Sequence, residues 1–161
     1  MEATITLTQG KVAIVDAADF EWLNQWKWYA KRTPSMKSFY AGRTLAKVDG
    51  HQGKNILMHR VILGLKTGDP RQGDHVNHNT LDNRDENLRI ATSSQNLMNR
   101  GLFSSNTSGF KGVSRNTKGW RAKIQVDGKA LYLGTRDTPR QAFELYCAAA
   151  EKFHGEFARV A

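Results

Sequence analysis

The chain has 161 residues and one cysteine, Cys147, so no internal disulfide can staple it. That cysteine lies in Phe143-Glu144-Leu145-Tyr146-Cys147-Ala148, among apolar helix formers. A thiol there reads as a small buried hydrophobe rather than a nucleophile. No apolar run approaches the ~20 residues that a membrane span needs. Residues 1–10 lack a charged-then-apolar leader, so secretion is not expected. No internal repeat is present. Acidic residues are the minority, 15 Asp and Glu against 24 Lys and Arg, for a net charge of +9. Such a balance favours polyanions, because cations that replace the counterions of phosphates release them. The excess lies on both sides of the middle: residues 1–103 hold 14 basic and 10 acidic residues, and residues 110–161 hold 10 and 5. Hydrophobic residues at 39% and charged residues at 24% fit a folded globular chain.

Four segments follow from the patterning. Residues 1–58 read as mostly strand, with Ile5 and Leu7 alternating with threonines, an apolar run Val12 to Val15, and a helix over Asp16 to Leu23. Trp26-Lys27-Trp28-Tyr29-Ala30-Lys31-Arg32 interleaves aromatic and basic residues. This suits either a nucleic-acid groove or a half-buried strand with aromatics inward and lysines in water. Residues 59–100 hold the chemistry. A glycine-containing polar joint, residues 101–109, reads as a linker, and residues 110–161 as three short strands and a helix. The expected class is α+β.

In the second segment Gly73 to Asn77 reads as a strand, Asn77 to Asn83 as a turn-rich loop and Leu88 to Ala91 as a second strand. Thr92-Ser93-Ser94-Gln95 is a capping box that starts a helix ending at Gly101. Phosphodiester hydrolysis needs a base for water, a cation for the phosphate and leaving oxygen, and a scaffold that fixes both. Asp74 and His75 are adjacent, and strand alternation sends their side chains to opposite faces. Asn96, Asn99 and Arg100 share one helical face. An Asp and an Asn together give a hard oxygen environment, which suits Mg²⁺ or Mn²⁺. An imidazole accepts a proton near neutrality, and Arg100 can hold a phosphate oxygen. On spacing alone, these Asp and Asn residues serve equally as plain turn formers.

The stretch GDHVNHNTLDNRDENLRIATSSQNLMNR, with Met58-His59-Arg60 before it, resembles the HNH family, in the branch of phage and intron homing endonucleases. The signature positions fall on His75, Asn87 and Asn96, with spacings of twelve and nine. The resemblance implies a ββα-metal unit in which His75 is the general base, Asn87 braces the loop that orients it, and Asp74 and Asn96 bind one divalent metal. Asparagine replaces the histidine common at the third position, which argues against zinc. The absence of a CxxC pair excludes the zinc-stapled subtype. His78 reads as an exposed loop residue or a phosphate contact. His59 reads as structural or as an aid to the site, and His51 and His154 carry no signal.

In the last segment Val113 to Arg115, Trp120 to Val126 and Ala130 to Gly134 read as strands. Asp127-Gly128 gives a two-residue hairpin. Thr138-Pro139-Arg140-Gln141 is a capping box with proline at the first helical position, for a helix running to His154. Gly112-Val113, Trp120, Tyr132 to Thr135, Ala148 to Ala150 and Phe153-His154-Gly155 resemble the ethylene-response-factor (APETALA-like) DNA-binding domain. That likeness implies a three-stranded sheet in the major groove of double-stranded DNA, contacting it through Lys111, Arg115, Lys123, Gln125 and Tyr132. Ser114 and Ala130 stand where the plant domain carries arginines, so its base preference does not carry over. Trp120 suits core or contact.

Together these features imply a phage-type intracellular DNA endonuclease. It would hydrolyse phosphodiesters with one metal and a histidine base, and its C-terminal sheet would address it to a site. The rival is a DNA-binding regulator whose nuclease centre has decayed.

Overall fold

The computed structural model describes residues 1–33, 36–45, 54–103 and 105–160. His51 lies outside them. The chain divides into two compact units, Met1–Ala91 and Thr92–Ala161. The expected divisions near residue 58 and across 101–109 do not coincide with this one. The strands that carry Asp74 and His75 share a unit with the N-terminal strands, and the helix that carries Asn96 belongs to the second.

In the first unit, strand β1 (Glu2–Thr6) pairs antiparallel with β2 (Val12–Asp16). Helix α1 (Ala17–Leu23) follows β2 directly. A second sheet has the order β3 (Tyr29–Thr33), β4 (Met36–Thr44), β5 (Asn55–Leu57), all antiparallel. Helix α2 (Met58–Ile62) leaves β5 without a break. Strands β6 (Gln72–His75) and β7 (Leu88–Ala91) form an antiparallel pair whose register sets Asp74 opposite Arg89 and His75 opposite Leu88. One core joins the two N-terminal sheets and both helices: Ile5, Ala13, Val15, Leu23, Trp28, Ala30, Ala41 and Met58.

The alternating stretch 26–32 does not present its aromatics together. Strand β3 starts only at Tyr29. The Trp28 indole N–H donates to the Leu23 carbonyl (2.8 Å), which ties the ring into the core at the end of α1. Trp26 stays exposed, with the Arg43 guanidinium 3.8 Å from its ring centroid. Of the groove and the half-buried strand that this pattern suits, neither covers the whole stretch: a buried indole needs a partner for its N–H, and Trp28 finds it at Leu23, ahead of the strand start.

In the second unit α3 (Ser93–Asn99) opens with a full capping box: Thr92 accepts from the Gln95 N–H and Gln95 accepts from the Thr92 N–H. Strands β8 (Val113–Asn116), β9 (Gly119–Val126) and β10 (Lys129–Arg136) form one antiparallel sheet with β9 central. Asp127 and Gly128 take φ of +48° and +75°, the left-handed pair that a two-residue hairpin demands. Helix α4 (Pro139–His154) carries a second capping box, Thr138 with Gln141. It packs Ala142, Tyr146, Ala149 and Ala150 against Val113, Ala122 and Ile124 of the sheet. Gly112 is required here. Its φ is +71°, and a Cβ would strike the Tyr146 ring and lie 2.5 Å from the Lys123 carbonyl.

Candidate active site around His75

A twelve-residue connection would leave His75 loosely held at the end of β6 unless something stiffened it. The 76–87 loop is stiffened from three sides. Asn87, buried, accepts from the Asn77 N–H through Oδ1 (2.8 Å) and donates from Nδ2 to the Asp82 carbonyl (2.7 Å), so one side chain ties both limbs. Asp82 is buried and receives Arg84 Nε and Nη2 (both 2.8 Å) and Asn77 Nδ2 (2.9 Å). Those donors hold its carboxyl below the usual carboxylate range. The third side is β2. The Ile14 N–H donates to the Leu81 carbonyl (2.8 Å), and the Asn83 N–H donates to the Ile14 carbonyl (2.7 Å). Asn77, Asn79, Asp82 and Asn83 are thus turn formers with side chains spent on the loop itself. His78 is exposed at the loop tip with φ +65°.

Asp74 and His75 are both buried. Arg89, facing Asp74 across the hairpin, donates to its Oδ2 from Nε (2.9 Å) and Nη2 (2.8 Å). The His75 Nε2 lies 3.5 Å from Asn83 Oδ1, an acceptor. That neighbour favours the tautomer with its proton on Nε2 and its lone pair on Nδ1. The imidazole also meets the His59 ring, centroids 4.9 Å apart and nearly perpendicular, and the Tyr40 ring at 6.0 Å. Tyr40 and His59 touch each other at 5.7 Å. Burial, and then the charge of Asp74, push the Tyr40 hydroxyl above its ordinary range.

Burial depresses the His75 pKa below 6.5 despite the opposing pull of Asn83, Asp74 and Asp82. Burial, followed by the neighbouring His75 and Arg60, pushes His59 down to about 3. Unfolded, both rings take up protons near pH 6.5; folded, His59 does so only near 3. The unfolded state therefore binds more protons in between, and stability is present above pH 6.5 and lost as the pH falls towards 3. At about 1.4 kcal/mol per pKa unit, His59 alone contributes a loss on the order of 4 kcal/mol. Urea denaturation from pH 7 to pH 4 should show the decline, and His59→Phe should flatten it.

Asn96 lies half-buried on α3, Asn99 is buried there, and Arg100 is exposed with its guanidinium 4.8 Å from the Phe103 ring centroid. On the C-terminal sheet, Lys123, Gln125 and Tyr132 are exposed, and Lys123 pairs with Tyr132 across β9 and β10. Arg115 pairs instead with Trp120, which packs on the core side, and its guanidinium sits 5.1 Å from that ring. Alternation along β9 puts Arg121 on the Lys123 face, where Nη2 reaches Ser114 Oγ at 3.4 Å. Lys111 is not on that face as expected. Its ammonium donates to the carbonyls of Met98 and of Arg100 (2.9 Å for the latter), capping the end of α3. Burial, helped by the charge of Arg159, draws its pKa down to about 8. Four residues escaped the sequence reading. Tyr40 had no local signal. Arg89 and Asn83 needed the hairpin register and the loop path. Arg121 was legible from its alternation with Ala122 and Ile124.

Residues 57–98, which span Asp74, His75, Asn87 and Asn96, match the family model for HNH endonucleases. The chain carries an HNH endonuclease domain. It is also similar to an uncharacterized HNH endonuclease of Acanthamoeba polyphaga mimivirus, 29% identical over 150 residues, covering 93% of this chain and 74% of the relative. It is 35% identical over 88 residues to Protein 3.8 of Escherichia phage T7, covering 53% of this chain and 72% of that protein. The chain belongs to the family of that phage protein. The HNH domain begins at Leu57, in β5, so the matched stretch takes in α2 and His59 as well as the hairpin. Among the described residues no helix is long and apolar enough to cross a membrane.

Proposed function

We propose that this HNH protein is a DNA endonuclease of the homing type. The observation that carries the reading is a buried histidine, His75, held beside a buried carboxylate, Asp74, within the family-matched stretch. His75 takes a proton from water, and the resulting hydroxide attacks phosphorus in line with the departing oxygen. Asn87 keeps the loop closed so that the imidazole stays aimed. Arg100 takes a non-bridging phosphate oxygen.

The donor chemistry of Asp74 and Asn96 fits a hard divalent cation: a carboxylate paired with Arg89 and an amide oxygen. These two residues would hold one Mg²⁺ or Mn²⁺, and the ion, when bound, supplies positive charge to the phosphate and leaving group. The C-terminal sheet meets duplex DNA through Arg121, Lys123, Gln125 and Tyr132, the lysine and arginine on phosphates and Gln125 on base edges. Arg115 contributes from the sheet rim.

Supercoiled plasmid and DNA from the flanking genome, incubated with purified protein, give the test. Nicked circles should form with Mg²⁺ and disappear with EDTA. No cutting of any such DNA with metal present, together with no heat of metal binding by calorimetry, would leave the chain a DNA-binding regulator.

A further inference from the structure

We propose that His59 is a positioning residue for His75: its ring, seated in space left by Gly73, is the wall that fixes the angle of the catalytic imidazole. The inference rests on the nuclease reading above. It starts from a ring contact. The His59 ring meets the His75 ring edge to face at 4.9 Å, with an interplanar angle of 73°. Tyr40 closes the third side, 5.7 Å from His59 and 6.0 Å from His75. Each ring belongs to a different element: Tyr40 to β4, His59 to α2 and His75 to β6. The bracket therefore ties His75 to two elements far from it in sequence.

Gly73 shows that the seat is built for this ring. It lies two residues before His75, on the same side of β6, and its φ is ordinary, so the backbone does not demand glycine there. Space does. A Cβ at that position would overlap the His59 ring and come within 3.0 Å of Leu63 Cδ1. Any other residue at 73 would push His59 off its wall.

Asn83 Oδ1 lies 3.5 Å from His75 Nε2, which is long for a hydrogen bond. The two ring contacts add shape to what directs the imidazole. A proton-transfer group gains from being held in a near-attack geometry, and misplacing it by about 1 Å can cost 10²-fold. His59 works through the shape of its ring, without touching substrate.

Steady-state nicking of plasmid by the full chain tests this. His59→Ala should lower kcat about 10- to 100-fold with KM for DNA unchanged, and His59→Phe, which restores a flat ring, should return kcat to within about threefold of wild type. Gly73→Ala should lower kcat in the wild-type background but add nothing in the His59→Ala background, because the two changes act on one contact. Melting temperatures of all variants separate this from a loss of fold. The His75 ring proton signal, assigned by its loss in His75→Ala, should move in His59→Ala and stay near its place in His59→Phe. If His75→Ala is inactive while His59→Ala keeps wild-type kcat, the bracket is wrong and the nuclease reading stands. If wild type cuts nothing, the nuclease reading fails, and an unmoved His75 signal in His59→Ala overturns the bracket independently.

Discussion

Replacing His75 with alanine is expected to slow strand cleavage by about 10²- to 10⁴-fold, the range that a positioned general base contributes. The ring is buried where β6 ends, with Asn83 on its Nε2 side and the His59 and Tyr40 rings packed against it at steep angles. Burial keeps it neutral at neutral pH, the form that accepts a proton. Alanine removes the proton acceptor and leaves a space that the neighbouring His59 and Tyr40 rings line. The measurement is the first-order rate of supercoiled-to-nicked conversion with Mg²⁺ in excess. Binding to the same DNA, followed by gel shift, should change little, since the basic residues of the C-terminal sheet are untouched. A variant that cuts at the wild-type rate would remove His75 from the chemistry.

Asn87→Ala is expected to destabilise the first unit by about 2–4 kcal/mol, read as a drop in the urea midpoint. Both ends of the Asn87 amide are committed, to the Asn77 N–H and to the Asp82 carbonyl. Each bond contributes about 1 kcal/mol net, but the larger cost is the abandoned partner, since an unsatisfied buried group loses about 1–3 kcal/mol. Asn87→Asp should be milder at Oδ1 and no better at the Asp82 carbonyl, where an acceptor would face an acceptor. Cleavage should fall along with stability in both variants, because the loop they loosen begins at His75. An Asn87→Ala protein as stable as wild type would mean that the loop holds without its central tie.

What was legible in the sequence was local. Both capping boxes and the Asp127-Gly128 turn are chemistry written within four residues, and helix and strand limits followed them closely. The second strand read at Leu88 to Ala91 is β7, with the same bounds. Contacts across distance were not readable. Tyr40 reaches His75 over 35 positions, and no pattern near either residue announces it. The twelve-residue loop hides the hairpin register, so Arg89 could not be set opposite Asp74. Lys111 was placed by its position in a resembled domain, whereas the open carbonyls at the end of α3 claimed its ammonium. Asn96 is the reverse case: its place after the Thr92 cap was plain, while a ligand role for it is what the family resemblance implies rather than anything local rules give.

The attachment of the loop to β2 bears on how such a nuclease segment can be moved between proteins. Family similarity delimits a cassette that starts at residue 57. Hydrogen bonding delimits another. Leu81 and Asn83 share backbone bonds with Ile14, the Asp85 N–H reaches Asp16, and Thr80 reaches the Phe39 carbonyl. A graft cut at 57 would strand all of these groups on a rim with nothing to meet them. A recipient scaffold must therefore bring its own extended edge beside the loop. For this chain the transferable piece must take in the strands before residue 57 as well as the stretch that carries the signature.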